Sequence, residues 1–305
     1  MKTAHRPHLS RLPRLAGIFC LCLLLTALDG CTPRALIQSE LADALAAQGS
    51  DAEDDPDLAR DAAPFYLKLS ESVLKAQPGH RPLAESVAAG FAGYAYAFVA
   101  LEADRLEASD VEAAARLRQR AAALYRRANG HATGALAARY PDFWPRLRKP
   151  LTPGLALARE DAGLAYWAAA SWGGWIALSK DDPEVVADLP LAIRLAELAY
   201  AADPAWGAGS LSSLLASFEM ARPGGQRPKA LQWFDEGIAL AGDSRPGPLL
   251  AKAEGYALAL GERELFESLL RRVLVQPTPS GQFALQDRIM RRRAAWLLEQ
   301  APDLF

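Results

Sequence analysis

The 305-residue sequence predicts an all-α protein, and three observations support this fold class. Apolar residues make up 51% of the chain and charged residues 23%, which is a globular composition. Alanine, leucine, arginine and glutamate are abundant while β-branched residues are few, so helix propensity is high and strand propensity is low. From residue 59 onward, apolar residues recur at helical spacing, and proline or glycine separates one periodic stretch from the next.

The first 30 residues are expected to be a lipoprotein signal peptide. Basic residues precede an apolar run of 14 residues at 15–28, which is too short to span a bilayer comfortably. The following Leu-Asp-Gly-Cys resembles the bacterial lipobox, in which the cysteine, here Cys31, is lipidated and becomes the first mature residue. An uncleaved signal anchor is the alternative. No cysteine follows Cys31, so the mature chain cannot form an intramolecular disulfide.

The mature chain is interpreted as a tether followed by one domain. Residues 31–58 hold the lipidated cysteine and a solvated tether, because 51–57 is strongly acidic and lacks the spaced ligands of a calcium loop. Residues 59–305 form a single helical domain in this interpretation.

Apolar periodicity assigns the helices of that domain in order. In 262–275, for example, leucine, phenylalanine and valine recur at i, i+3 and i+4 spacing and make one apolar stripe. The stretch 143–154 is expected to be an irregular crossover. The predicted helices, with ends uncertain by a few residues, are 61–76, 82–107, 110–139, 154–178, 184–202, 206–221, 228–241, 246–259, 262–275 and 282–299.

Two neighbouring helix pairs, 189–221 and 228–260, resemble each other. In each pair the first helix ends in a short turn, and the second is rich in small residues. The two turns begin 39 residues apart, at Asp203 and Gly242. This spacing is close to the tetratricopeptide period of about 34 once the insertion PGGQRP is allowed for. Such repeats bury their apolar faces only by stacking, so the sequence predicts a tetratricopeptide-like array of helical hairpins.

Motifs for catalysis, metal binding and nucleotide binding are missing from the sequence. After signal cleavage only His80 and His131 remain as histidines, and no HExxH, G-x-S-x-G or P-loop pattern occurs. Adjacent acids such as Glu160 and Asp161 are interpreted as solvated helix-surface residues rather than a glycosidase pair. We therefore expect no enzymatic activity, no cofactor and no metal. A net charge of −2 gives no overall electrostatic basis for binding nucleic acid.

Aromatic residues set among small ones supply the candidate binding residues. Tyr94 and Phe98 lie four apart on one predicted helix, and Trp172 and Trp175 share a face of another with two glycines between them. Rigid rings beside small residues can line an apolar pocket, with the two pairs as opposite walls. The alternative is that all four rings fill the core.

Two arginines on the long helix 110–139 complete the candidate site. Arg120 and Arg127 lie seven apart on one face, where they could orient an anionic head group or a partner, because the guanidinium fork suits carboxylates. The alternative is that both arginines pair with acids of the helix surface.

A family resemblance extends through almost the whole mature chain. The stretches that carry it are, in order, APFYLKLSESVLKAQPGHRPLAESVAAGFAGYAYAFV, RLRQRAAALYRRANGHATGAL, YWAAASWGGWIALSKDDPEVVADLPLAIRLAELAYAADPAWGAGSLSSLLA, KALQWFDEGIAL, GERELFESLLRRVL and RAAWLLEQAPDLF. Together with the lipobox, they resemble the T-component lipoproteins associated with TRAP (tripartite ATP-independent periplasmic) transporters, often called TatT.

This resemblance implies a tetratricopeptide-like all-α fold, a homo-oligomer, most simply a trimer, and association with a TRAP solute-binding protein. The chain would dock that subunit and pass a hydrophobic or organic-acid ligand. The chain would contact the membrane only through its lipid anchor. Thr32, in place of an aspartate after Cys31, favours the periplasmic face of the outer membrane over the inner membrane. The alternative is a general cell-envelope scaffold lipoprotein of the tetratricopeptide type, unrelated to transport.

Overall fold

The computed structural model of the protein describes residues 33–48, 53–149, 154–242, 245–277 and 281–305. These residues form helices joined by turns, and they contain no strand, so the all-α prediction is confirmed. The tetratricopeptide-like arrangement stays a prediction. Cys31 and the predicted signal peptide lie outside the described residues. The chain forms two compact units, Met1–Leu41 and Ala42–Phe305, and the second contains the fold discussed below.

The helices run through the described part of the chain with short connections. Helix α3 (Arg81–Leu106) contains a π turn at Ala95–Ala100, and α11, which starts with Gly247–Lys252, continues through a π turn at Ala253–Ala257 and a 3₁₀ turn at Leu258–Leu260. Their bounds are α1 Pro33–Gln48, α2 Pro56–Ala76, α3 Arg81–Leu106, α4 Val111–Arg139, α5 Phe143–Arg148, α6 Ala162–Ala177, α7 Pro183–Val186, α8 Leu189–Ala202, α9 Ser210–Ala221, α10 Arg227–Ala241, α11 from Gly247–Lys252, α12 Arg263–Val275 and α13 Ala284–Leu304.

The helix predicted over 206–221 starts late, and backbone geometry explains the difference. Gly207, Ala208 and Gly209 have φ angles of 67°, 46° and 89°, which an α-helix cannot contain. Helix α9 therefore begins at Ser210. The helix predicted over 154–178 likewise begins only at Ala162, after a 3₁₀ turn.

The stretch expected to be a tether contains regular structure. Helix α1 occupies much of it, and Ala42 and Leu45 on that helix are buried. The carboxylate of Asp55 accepts hydrogen bonds from the backbone N–H groups of Asp57 and Leu58, at 2.9 and 3.1 Å. Part of the acidic stretch is thus the N-cap of α2. The predicted domain boundary at residue 58 consequently falls within the first turn of α2.

Helix α6 lies at the centre of the larger unit and packs against both α4 and α8. Its sequence, AGLAYWAAASWGGWIA, is apolar or small on every side, as a helix enclosed by neighbours requires. A second apolar cluster joins α11, α12 and α13. The last helix, α13, packs against α12 and also reaches α2. The last helix of this unit therefore packs against its first long helix, α2.

Helix α3 is long and apolar enough to cross a membrane by length and composition, over Arg81–Leu106. Packing accounts for that apolarity, because Leu83, Val87, Phe91 and Val99 are buried in the main core cluster. The same composition is found in core helices of proteins that do not span a membrane.

A buried carboxylate joins α2 to α4. Glu71 is 3% exposed, and its carboxylate accepts hydrogen bonds from Arg127 Nε at 2.6 Å and Lys68 Nζ at 2.7 Å, and lies 2.9 Å from His131 Nε2. The Arg127 guanidinium also lies 4.8 Å from the centroid of the Phe91 ring. The hydrogen bonds of Arg127, ahead of those from Lys68 and His131, hold the pKa of Glu71 well below its usual range despite burial.

We expect Glu71→Gln to lower the free energy of unfolding by about 2 kcal/mol at pH 7, because Arg127 loses its charged partner. A carboxyl group whose pKa is depressed by folding stabilises the native state above its unfolded pKa of about 4.3, and this contribution is lost as the pH falls. Urea unfolding at pH 7 and pH 3.5 should therefore show a smaller difference between wild type and variant at pH 3.5. The exposed Glu299→Gln variant is the control, and an undiminished difference would contradict the assignment.

Candidate functional site

The structure brings three of the predicted site residues together on one side of α3. The rings of Tyr94 and Phe98 lie 5.5 Å apart, and the guanidinium of Arg120, on α4, lies 5.8 Å from the centroid of the Tyr94 ring. Arg120 is exposed, whereas Tyr94 and Phe98 are half-buried. These three residues form an aromatic–cation cluster near the surface.

The predicted tryptophan wall lies elsewhere. Trp172 is 4% exposed, and its ring meets Trp144 of α5 edge-on at 6.3 Å. Trp175 is half-buried on the same helix. Among the described residues, no ring contact joins Trp172 or Trp175 to Tyr94 or Phe98. The structure therefore does not bring the two predicted walls face to face.

The two predicted arginines, Arg120 and Arg127, also differ in their contacts. Arg127 forms both of its side-chain hydrogen bonds with Glu71, through Nε and Nη2, and stacks on Phe91. Its guanidinium is thus engaged in holding α2 on α4. Arg120 lies against the ring of Tyr94 and forms no hydrogen bond or ion pair within the described part of the chain, so of the two arginines it is the one available to an anion.

Three tyrosines outside the predicted site residues form a row in the larger unit, in which Tyr125 is buried while Tyr96 and Tyr166 are half-buried. Tyr96 belongs to α3, Tyr125 to α4 and Tyr166 to α6. Each phenol lies within electrostatic reach of the next along this row. The Tyr125 ring fits against the backbone of Gly174, where a side chain would collide with it. The lack of a side chain at Gly174 therefore makes the space that the Tyr125 ring occupies.

The row ends at a charged cluster that we call the Arg293 cluster, formed by Arg293, Glu254, Asp104 and Tyr96. Arg293 lies on α13, and its Nε and Nη2 donate to Glu254 of α11 at 3.0 and 2.8 Å. The same Nη2 lies 2.9 Å from Asp104 of α3. The guanidinium also covers the ring of Trp296 at 4.7 Å. One arginine thus links three helices.

The two π turns of the described chain supply members of this cluster. Tyr96 lies in the π turn of α3, and Glu254 lies in the π turn of α11. A π turn adds a residue to a helical turn and so changes which side chains face a neighbour, and such turns are frequent at functional sites. Their convergence on one arginine distinguishes this cluster from ordinary surface ion pairs.

Burial dominates the electrostatics of the interior row. It raises the pKa of Tyr96, with the Glu254 carboxylate adding to the effect and Arg293 opposing it. Burial also raises the pKa of Tyr125, and that of Tyr166 to about 12. All three phenols therefore stay protonated at neutral pH and can both donate and accept hydrogen bonds. Burial raises the pKa of Glu254 as well, against the attraction of Arg293.

A second buried arginine marks the other end of the row. Arg245 is within electrostatic reach of Tyr166, donates to Asp287 at 3.1 Å and lies 3.8 Å from the centroid of the Phe283 ring. The interior therefore offers neutral phenols between two arginines that are each paired with acids. Within the described ranges, no group of three or more His, Cys, Asp or Glu side chains could hold a metal ion.

Sequence comparison decides the family. The model of the TRAP transporter T-component family matches residues 52–305, which is most of the chain. The chain belongs to the TRAP transporter T-component family. A relative from Treponema pallidum (strain Nichols), described as an uncharacterized protein, is 28% identical over 285 residues, covering 90% of this chain and 87% of the relative. The resemblance noted from the sequence is thereby confirmed.

Membership of this family assigns the protein a general role in transport. It is an accessory component associated with a TRAP transport system, and such a component works in the periplasm. The family is one of transport accessories and is not known for enzymatic activity. The matched region begins at residue 52, so it includes every helix from α2 to α13.

The close fit of Tyr125 on α6 gives a direct test of the interior of this T-component. A Cβ atom at Gly174 would lie 2.9–3.0 Å from ring atoms of Tyr125. We therefore expect Gly174→Ala to lower the free energy of unfolding by about 1–3 kcal/mol in urea, through forced displacement of the ring.

Gly130→Ala is the matched control, because nothing lies within 4 Å of a Cβ atom at that helical position. This change should raise the stability by about 0.4–1 kcal/mol, as an alanine does in an open helix position. If Gly174→Ala were stabilising to the same extent, the tight contact of α6 with Tyr125 would be wrong.

Proposed function

We propose that this T-component is a lipid-anchored protein on the periplasmic face of the outer membrane, which docks the solute-binding subunit of its TRAP system and passes a hydrophobic or organic-acid ligand. The observation that carries the proposal is the row of Tyr96, Tyr125 and Tyr166 within an array whose last helix returns to its first long helix. Aromatic rings beside small residues can line an apolar path, and their phenol groups can meet a polar group of the ligand.

The anchor is proposed from the lipobox. Cys31 follows the apolar run of the signal peptide, and Thr32 takes the place at which an aspartate would favour the inner membrane. Helix α1 begins at Pro33, so a lipid on Cys31 would hold the start of the folded chain at the membrane surface. The membrane would then be contacted through the lipid, which leaves the helical array free to meet a partner.

Self-association, with a homotrimer as the proposed state, has a candidate surface on α2. Leu58, Phe65 and Leu69 are 56%, 76% and 38% exposed and lie seven and four residues apart, hence on one side of the helix. An exposed apolar stripe of this kind is a common feature of protein interfaces. It is more prominent than the surfaces offered by the tryptophans, which are partly or fully buried.

The predicted binding residues take separate parts in this proposal. Trp175, half-buried on α6, and the buried Trp172 on the same helix would line the interior. Tyr94, Phe98 and Arg120 form a cluster closer to the surface, where a partner or an anionic group could meet them. Arg127 supports this arrangement from within, through its ion pair with Glu71.

Membrane recruitment tests docking and anchoring in one experiment. Outer-membrane vesicles carrying the full-length chain are sedimented with the purified solute-binding protein of the same TRAP system. We expect the solute-binding protein to co-sediment with vesicles that carry wild type and to remain in the supernatant with vesicles from a Cys31→Ser strain. The Cys31→Ser protein should itself be released from the membrane.

The two parts of the proposal fail in different ways. If wild-type vesicles retain no solute-binding protein, docking is wrong and a general envelope scaffold becomes the better account. If Cys31→Ser protein stays in the membrane and still recruits the partner, the lipid anchor is wrong while docking stands.

A further inference from the structure

A groove of about 310 Å³ lies where α2, α3 and α13 meet, on the side of α3 that carries Phe98. Its floor is apolar and is made by Ala97, Phe98 and Leu101 of α3 and Ile289 of α13. Its volume falls at the lower end of the ~300–1,000 Å³ found for small-molecule sites. We call it the seam groove, because it lies where the last helix of the array returns to the first long one.

Charged residues form the rim of the seam groove. Three arginines line it, one from each helix, namely Arg60, Arg105 and Arg292, against two acids, Asp57 and Glu102. The lining therefore carries a formal net charge of +1. An apolar floor under a net positive rim is complementary to a molecule with an apolar body and an anionic head.

Two of the rim arginines are weakly engaged. Arg60 is held by Asp57 and Asp61 at 3.2 and 3.0 Å. In contrast, Arg105 approaches Glu102 only to 3.7 Å, and Arg292 approaches Asp57 only to 3.9 Å. Neither of these two distances is a hydrogen bond. The N–H groups of Arg105 and Arg292 therefore remain available to an added acceptor, and about half of each side chain is exposed to solvent.

We propose that the seam groove binds a small amphipathic anion, with a short alkyl chain on the floor formed by Phe98 and Ile289 and a carboxylate-type head group between Arg105 and Arg292. The head group would bridge α3 and α13, so the ligand would also stabilise the junction between them. This site is separate from the tyrosine row, and it depends neither on docking of the solute-binding protein nor on passage of a ligand through the interior.

Hexanoate is a suitable probe, because it combines a carboxylate with a chain short enough for this groove. The full chain is reconstituted in phosphatidylcholine nanodiscs, and binding is measured by calorimetry with the signal of empty nanodiscs subtracted. We expect one hexanoate per chain. Acetate has the head without the chain and 1-hexanol has the chain without the head, so each should bind at least about tenfold more weakly.

Three variants locate the site. Arg105→Gln should weaken hexanoate binding about tenfold by removing a charged donor, and Ala97→Leu should do the same by filling the floor. Arg116→Gln on α4 is the matched control, because Arg116 is also exposed and also approaches a single acid, Glu112, at 3.7 Å, but lies outside the groove. It should leave the affinity unchanged. Circular dichroism and thermal unfolding verify that each variant is folded.

Several results would overturn the proposal. It is wrong if hexanoate does not bind to wild type, or if 1-hexanol binds as tightly as hexanoate. It is equally wrong if Arg116→Gln weakens binding as much as Arg105→Gln, since the effect would then be one of general charge. Unchanged affinity in both Arg105→Gln and Ala97→Leu would place the hexanoate elsewhere on the chain.

Discussion

Arg293 is the charged link between the last helix of the larger unit and two other helices. This one side chain, 11% exposed, is bonded to Glu254 and Asp104 and covers the ring of Trp296, so it ties α13 to both α11 and α3. Its removal would leave Glu254 without its counter-charge and Asp104 with only Arg118, at 3.6 Å, at a cost of about 2 kcal/mol given their partial exposure. Tyr96 and the end of the tyrosine row lie against this link, and the seam groove lies on the same junction of α3 with α13.

Helix α6 allows neighbouring rings to pack closely because two of its residues, Gly173 and Gly174, have no side chain. Gly174 lets the ring of Tyr125 rest on its backbone, and Gly173 does the same for Phe218. Trp172 fills the side towards α5, where it meets Trp144. Two adjacent glycines between two tryptophans thus let rings of α4 and α9 pack against the backbone of α6. The proposed passage of a ligand through this T-component depends on that arrangement.

Most helix positions could be predicted from the sequence because apolar periodicity and Pro or Gly breaks are local signals. The contacts of Arg127 with Glu71 and of Arg293 with Glu254 could not, because they join residues far apart in the chain. Arg127 lies 56 residues from Glu71, and Arg293 lies 39 residues from Glu254, so no spacing rule connects either pair. The π turn around Tyr96 could not be predicted from the sequence either, because the stretch GYAYAF has ordinary helical composition. The family resemblance, spread over the whole mature chain, predicted the transport role without locating a site.

The closure by Arg293 is tested most directly by a distance between α2 and α13. Spin labels at Ser72→Cys and Glu299→Cys, both exposed positions, can be placed specifically because no cysteine follows Cys31 in the chain. Double electron–electron resonance should give one narrow distance distribution for the otherwise native chain. In an Arg293→Gln background it should broaden towards longer distances while the helix content is retained. An unchanged narrow distribution in that background would show that Arg293 does not hold the last helix in place.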